Sequence, residues 1–206
     1  MAQTTHKTLI FDMGKVLIAF DFQLGYQAIA RFCPHPEAEI RRRIKATGLV
    51  ELLEKGLIEP RDFVRRLSEA LDLQLDYEGF RRVWGSIFTG QLIPDRVLES
   101  LAARYRLLLL SNTNLIHFET IRENYTLLRH FHDLVLSYEV HAMKPEPEIY
   151  LAAIERAGCR PEECFYADDI GEFVAAAQRE GIDAVQFESP EQLEQDMKAR
   201  GILWQA

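Results

Sequence analysis

Cysteine is scarce in this sequence of 206 residues, and no apolar run is long enough to span a membrane. The three cysteines are an odd number and lack the paired spacing of a zinc site, so we expect buried or incidental thiols in a reducing compartment. Residues 1–7 contain no apolar signal-peptide core, which favours a cytoplasmic protein. These absences argue against a membrane protein and against a disulfide framework.

An excess of basic charge and the common nucleotide-binding loops are also missing. The formal net charge is -8 at pH 7, so the phosphate backbone of a nucleic acid would be repelled. Neither a GxGxxG nor a GxxxxGK(S/T) loop is present, and the six histidines form no HExxH-type pattern. A small anionic ligand stays open, because a local site can be positive within an acidic protein.

Enough apolar side chains are present for a sizeable core, since 48% of the residues are hydrophobic. Apolar residues lie three or four apart between residues 22 and 88, which predicts helices at 23–32, 37–45, 61–70 and 77–88. Asp21 is a candidate N-cap for the first of them. These helices would form a small bundle inserted after the first strand.

A different pattern begins at Pro94, where short apolar runs alternate with helical segments. Strands are predicted at 107–110, 134–136, 164–167 and 184–187, and helices at 95–104, 115–128, 148–157 and 173–180, before a terminal helix. This alternation predicts an α/β fold with a parallel sheet and right-handed crossovers.

The first apolar run, from residue 8, ends in Asp12, and Gly14 follows two residues later. A buried strand that runs out into a glycine-containing turn would leave Asp12 at its carboxyl end, where ligands collect in open α/β sheets. A carboxylate in that position can act as a nucleophile or as a metal ligand. Taken alone, Asp12 is equally well explained as a residue that forms a turn or caps a helix.

Polar side chains also follow the later predicted strands: Ser111 and Asn112, Lys144, and Asp168 with Asp169. Each has a structural explanation, as a helix cap, a surface residue or a loop. Together with Asp12 they make a coherent set, because three carboxylates can hold a hard cation such as Mg²⁺. A hydroxyl group, backbone amides and a lysine can hold the oxygens of a phosphoryl group.

The sequence resembles the haloacid dehalogenase (HAD) superfamily over essentially its whole length. Four motifs in the family's order carry the resemblance: Phe11-Asp12-Met13-Gly14-Lys15-Val16-Leu17, Leu110-Ser111-Asn112-Thr113, Lys144-Pro145 and Phe165-Tyr166-Ala167-Asp168-Asp169. The first motif is most similar to the branch that includes α-D-glucose-1-phosphate phosphatase. The resemblance implies a three-layer Rossmannoid core of residues 1–20 and 90–206, with a helical cap domain of residues 21–89 inserted into it.

The resemblance also implies an activity, namely a Mg²⁺-dependent phosphatase of a small phosphorylated metabolite. Asp12 would attack phosphorus and form an aspartyl-phosphate. Ser111 and Lys144 would bind the phosphoryl group, with help from the Asn112 amide.

The implied Mg²⁺ site lies between Asp12, the main-chain carbonyl group of Gly14 and Asp169. Asp168 would be a ligand or lie close behind the ligands. The distance back from Gly181, which the family keeps nearly fixed, favours Asp169 as the direct ligand.

The chain departs from the family's pattern at Gly14, where most family phosphatases have a second aspartate that acts as the acid and base. Its absence would cost on the order of 10²–10⁴ in rate if nothing replaces it. We therefore expect a substrate with a good leaving group, such as an anomeric sugar phosphate. Lys15 next to it is expected to face solvent. Phe173 stands where relatives have Asn or Asp, which would weaken the surroundings of the metal.

Two other interpretations stay open. One is a non-catalytic protein that binds a phosphate group or a partner, which Gly14 and Phe173 suggest. The other is a halide-releasing enzyme, but such family members lack the carboxylates of the fourth motif, which Asp168 and Asp169 supply here. We expect a monomer or a homodimer.

Overall fold

The computed structural model describes residues 5–204. Its strands are β1 (Thr8–Phe11), β2 (Ile18–Phe20), β3 (Phe88–Gln91), β4 (Arg106–Ser111), β5 (Asp133–Leu136), β6 (Cys164–Asp168) and β7 (Asp183–Gln186). The helices are α1 (Phe22–Ile29), α2 (Glu37–Thr47), α3 (Leu49–Glu54), α4 (Pro60–Leu71), α5 (Tyr77–Trp84), α6 (Asp95–Ala102), α7 (Leu115–Asn124), α8 (Ser137–Val140), α9 (Pro147–Ala157), α10 (Gly171–Arg179) and α11 (Pro190–Ala199). None of the helices within residues 5–204 has the length and apolar character to cross a membrane.

Five of the strands form one parallel sheet in the order β5-β4-β1-β6-β7. The inner strand β4 is leucine-rich because it is covered on both faces, as strands of parallel sheets are. Alternate side chains of β4 point to opposite faces, so Leu107 and Leu109 enter one hydrophobic cluster and Leu108 and Leu110 enter the other. Helices cover both faces, and the predicted three-layer α/β fold is confirmed.

Helices α1 to α5 lie between β2 and β3 in the chain and pack around a third hydrophobic cluster. Its aromatic centre is formed by Phe63, Phe80 and Trp84, whose ring centroids lie 5.3 to 5.9 Å apart. Ile116 of α7 belongs to the same cluster, so the bundle packs on the helix that follows β4. The predicted N-cap is present, since the Asp21 carboxylate accepts a hydrogen bond of 2.8 Å from the backbone amide of Gln23.

An antiparallel ribbon of β2 and β3 joins the bundle to the sheet. The ribbon was not predicted, because residues 77–88 were expected to be one helix. Instead α5 ends at Trp84, a short 3-10 helix follows, and Phe88 begins β3.

The second predicted domain boundary, between residues 89 and 90, falls inside β3. The division into a core of residues 1–20 and 90–206 and a cap of residues 21–89 stays a prediction, and residues 1–4, 205 and 206 lie outside the described residues.

The short helices α3 and α8 were also missed, since six and four residues are too few for a helical period to stand out. The predicted helix 115–128 ends earlier, at Asn124, and a 3-10 helix follows from Leu127 to His130. The other predicted elements agree with the structure to within two or three residues at each end.

The buried centre of the sheet can be tested with Leu109, which is completely buried. Leu109→Ala should lower the free energy of unfolding by about 2–5 kcal/mol, because the change removes buried methyl groups and leaves a cavity. Leu151→Ala is the control, since Leu151 is 53% exposed, and it should change stability by roughly 0.5 kcal/mol or less. Chemical denaturation measures both, and equal losses would contradict the assigned core.

Candidate active site

Parallel strands place the predicted site residues at one edge of the sheet. Phe11 at the end of β1 pairs with Leu109 and with Ala167, so the strands on either side end at about the same level. Asp12 therefore lies beside the ends of β4 and β6. Those ends carry Ser111 with Asn112, and Asp168 with Asp169.

Lys144 enters this edge from the loop between α8 and α9. Its ammonium nitrogen lies 2.7 Å from Oδ1 of Asp12 and 2.6 Å from Oδ2 of Asp168. The nitrogen also donates to the carbonyl oxygen of Leu110 at 3.3 Å, and the hydroxyl group of Tyr166 lies at 3.2 Å. Burial acts to lower the pKa of Lys144, but the charges of the two carboxylates outweigh burial and raise it, so the ammonium group stays charged.

The carboxylates of Asp12, Asp168 and Asp169 can bring one oxygen each within 4.8 Å of one another. Burial raises the pKa of Asp12 to about 7, and the Lys144 ammonium group acts against this rise. Burial and the charge of Asp168 raise the pKa of Asp169 as well. A cation bound between the three carboxylates would offset the repulsion between their negative charges. The donor set consists only of oxygen atoms, which is the chemistry that Mg²⁺ requires.

The two neighbouring aspartates have different surroundings. Oδ1 of Asp168 accepts a hydrogen bond of 2.8 Å from the backbone amide of Ile170, and Oδ2 accepts from Lys144 and Tyr166. Asp168 is completely buried, whereas Asp169 is partly exposed and pairs with no other side chain within residues 5–204. Asp168 is thus committed to holding Lys144, and the Asp169 carboxylate is available for a cation.

Asn112 holds the Lys144 loop in place. Its Oδ1 accepts a hydrogen bond of 2.8 Å from the backbone amide of Lys144, and its Nδ2 donates to the carbonyl oxygen of Lys144 at 3.0 Å. The neighbouring Ser111 is buried, with its hydroxyl oxygen 3.5 Å from the Asn112 carbonyl oxygen. The predicted roles of Ser111 and Asn112 in phosphate binding, and of the Gly14 carbonyl group in metal binding, stay predictions.

An aromatic ring blocks the position next to the nucleophile. A Cβ atom on Gly14 would lie 2.6 Å from Cε1 of Phe20, so an aspartate there would require the ring to move. Lys15 has a positive φ of 58° and is exposed, as expected, with its ammonium nitrogen 5.6 Å from the centre of the Phe20 ring. Any side chain larger than that of glycine at residue 14 would therefore displace the half-buried Phe20 ring.

Two aromatic residues contact Lys144 in ways that the sequence did not predict. Tyr166 lies two residues before Asp168 on β6 and so points to the same face of the strand, which is the signal that was available. The ring of Phe173 lies 5.2 Å from the Lys144 nitrogen and covers the ammonium group. The expected weakening of the metal's surroundings by Phe173 stays a prediction.

A histidine connects the two parts of the molecule. Nε2 of His117 on α7 donates to the carbonyl oxygen of Trp84 at 3.2 Å, and Nδ1 accepts from the side-chain amide of Asn114 at 3.1 Å. Burial lowers the pKa of His117 to about 4, with the bond to Trp84 acting against this shift. The imidazole ring is therefore neutral at pH 7, and both of its nitrogens are occupied.

Comparisons with known proteins agree with this geometry. The family model for haloacid dehalogenase-like hydrolases matches residues 6–181. D-ribitol-5-phosphate phosphatase of Bacteroides thetaiotaomicron is 27% identical over 192 residues, which cover 89% of this chain and 92% of that protein. Flavin mononucleotide hydrolase 1 of Arabidopsis thaliana is 25% identical over 195 residues, covering 94% of this chain and 77% of that one.

A solved structure shows the same fold with ligands. The crystal structure of a HAD family enzyme from Bacteroides thetaiotaomicron in complex with magnesium and inorganic phosphate has a TM-score of 0.80 and 31% identity, covering 90% of this chain and 96% of that one. The chain belongs to the haloacid dehalogenase-like hydrolases. The predicted superfamily and the predicted hydrolase class are confirmed, and the glucose-1-phosphate phosphatase-like branch stays a prediction.

Removal of one predicted metal ligand tests the carboxylate cluster. Mg²⁺ at 100 times its Kd should stabilise the protein by about 2.7 kcal/mol, because only the folded chain holds the ligands together. Asp169→Asn should abolish this rise in thermal stability. Glu172→Gln, which changes an exposed residue three positions away, should retain it. Loss of the metal effect in both variants would contradict the assigned ligand.

The neutral His117 predicts a pH dependence of stability. Its pKa is about 4 in the folded chain, below the ordinary value of 6.5, so the unfolded chain binds more protons between these values. The contribution of His117 should therefore be complete above pH 6.5 and fall by on the order of 3 kcal/mol as the pH drops to 4. Chemical denaturation of wild type and His117→Gln across this pH range measures the free energy of unfolding of each. Parallel curves of this free energy against pH would contradict the prediction.

Proposed function

We propose that this hydrolase is a Mg²⁺-dependent phosphatase of a small phosphorylated metabolite. The observation that carries the proposal is the meeting of a buried lysine with three carboxylates at the ends of parallel strands. Asp12 is the nucleophile, since it follows β1 directly and its carboxylate is held by Lys144. Attack on phosphorus breaks the ester bond and forms an aspartyl-phosphate, which water then hydrolyses.

The roles of the surrounding groups follow from their charges. Lys144 offsets the repulsion between the Asp12 carboxylate and the phosphate, and Ser111 with Asn112 binds the phosphoryl oxygens. When bound by Asp12, Asp169 and the Gly14 carbonyl group, Mg²⁺ supplies further positive charge for the transferred group. Asp168 keeps the lysine in position.

The substrate class is supported by the relatives. D-ribitol 5-phosphate and flavin mononucleotide are both primary phosphate esters of a ribityl chain, and the similar proteins are named for acting on them. The glycine at position 14 favours an ester with a good leaving group, such as a sugar 1-phosphate. Both kinds of ester belong in the substrate panel.

The other two functions have less support. A dehalogenase does not need the carboxylates of β6, which here form the cluster with Asp12. A binding protein without turnover was suggested by Phe173, but this ring covers Lys144 and leaves the lysine paired with both carboxylates.

Phosphate release from a panel of esters tests the proposal. The panel contains D-ribitol 5-phosphate, glycerol phosphate, glucose 1-phosphate and p-nitrophenyl phosphate, each with Mg²⁺ and with a chelator. Wild type should release phosphate only with Mg²⁺, and Asp12→Asn should be inactive because it has lost the nucleophile. Chloride release from 2-chloropropionate would favour the dehalogenase. Bound metal and phosphate without release from any ester would favour the binding protein.

A further inference from the structure

The site lacks an obvious acid for the leaving group. Phe20 fills the space beside Gly14, so the core offers no carboxylate next to the nucleophile on that side. A phosphate ester of an ordinary alcohol still needs a proton when its P–O bond breaks. Because residue 14 has no carboxylate to supply this proton, another side chain that reaches the pocket would have to donate it.

Two cavities meet where the helical bundle faces the sheet edge. A cavity of about 60 Å³ is lined by Gly14, Phe20, Ser111 and Asn112, which places it at the phosphoryl-binding groups. A larger cavity of about 390 Å³ lies among α1, α2 and α3 and has mainly apolar walls. The second is within the size range of small-molecule sites.

Four residues line both cavities and so mark the junction: Phe22, Glu54, Ile87 and His117. A substrate whose phosphoryl group lies in the small cavity and whose organic part lies in the large one would have its ester oxygen at this junction. Only two of the four side chains can transfer a proton. His117 cannot act as the acid, because it is neutral and its one N–H is bonded to Trp84.

Glu54 has the properties that the role requires. It is the last residue of α3, and its carboxyl group has no hydrogen bond or ion pair within the described part of the chain. Burial, with a smaller effect from the charge of Glu51, raises the pKa of Glu54 to about 7. Arg41 and Lys45 also line the large cavity, but both are exposed at its rim.

We propose that Glu54 of the helical bundle is the general acid and base of this site, in place of a carboxylate at residue 14. The inference rests on the proposed phosphatase function. As Asp12 attacks phosphorus, the ester P–O bond breaks and the departing oxygen takes the proton of the Glu54 carboxyl group. The resulting carboxylate then takes a proton from the water that attacks the aspartyl-phosphate. This step releases inorganic phosphate and restores both side chains.

The dependence on the leaving group distinguishes an acid from a binding residue. Glu54→Gln should lower kcat for D-ribitol 5-phosphate by on the order of 10²-fold or more, because an amide cannot donate the proton in the same way. For p-nitrophenyl phosphate, whose leaving group needs no proton, kcat should fall by less than about tenfold. Glu59→Gln is the matched control in the helical bundle, since Glu59 is exposed and is not among the residues that line either cavity, and both esters should react as with wild type.

Other results would contradict either the role of Glu54 alone or the phosphatase function as well. An equal loss of kcat with both esters, or a rise in KM with kcat retained, would show that Glu54 acts in folding or in substrate binding. A wild-type enzyme that hydrolyses only activated esters would overturn the role of Glu54 and leave the phosphatase function intact. Failure of wild type to release phosphate from any ester would overturn both. Thermal unfolding of Glu54→Gln with Mg²⁺ confirms that the variant is folded and binds the metal.

Discussion

The buried ammonium group of Lys144 is the interaction on which the site depends. Asp12 and Asp168 approach each other at the ends of β1 and β6, and two buried carboxylates without a cation would repel strongly. The lysine can lie between them only because Asn112 fixes its backbone from both sides. Loss of Lys144 would leave both buried carboxylates without their shared cation, and loss of Asn112 would release the backbone that positions it.

The proposed phosphoryl pocket is built by more than these four residues, because the small cavity at the sheet edge is also lined by residues of the helical bundle. Phe22, Ile87 and Glu54 come from the inserted segment or its edge and complete the wall opposite Ser111. The neutral His117 joins the bundle to α7 through Trp84, in a contact that excludes water from both nitrogens. In the proposed mechanism, catalysis therefore requires the bundle in place, with its apolar walls and the carboxyl group of Glu54.

The sequence was sufficient for the sheet and for the groups at its edge. Residues 107–110 form an uninterrupted leucine run because β4 is buried on both faces, and this pattern is local. The contact between Phe173 and Lys144 depends on the approach of distant segments, which no local pattern encodes. The same holds for α3, whose six residues show no clear period although they carry Glu54.

The close contact between Gly14 and Phe20 has a consequence for how this chain can evolve. An aspartate at position 14 would first collide with the Phe20 ring, which itself packs against Phe22 with ring centroids 4.9 Å apart. A single substitution at position 14 would therefore have to displace the ring of Phe20, which is only half-buried, and its effect would depend on the residue at position 20. Substitutions at positions 14 and 20 are therefore expected to be epistatic, because the size of the aromatic side chain sets the space that is open to a residue at position 14.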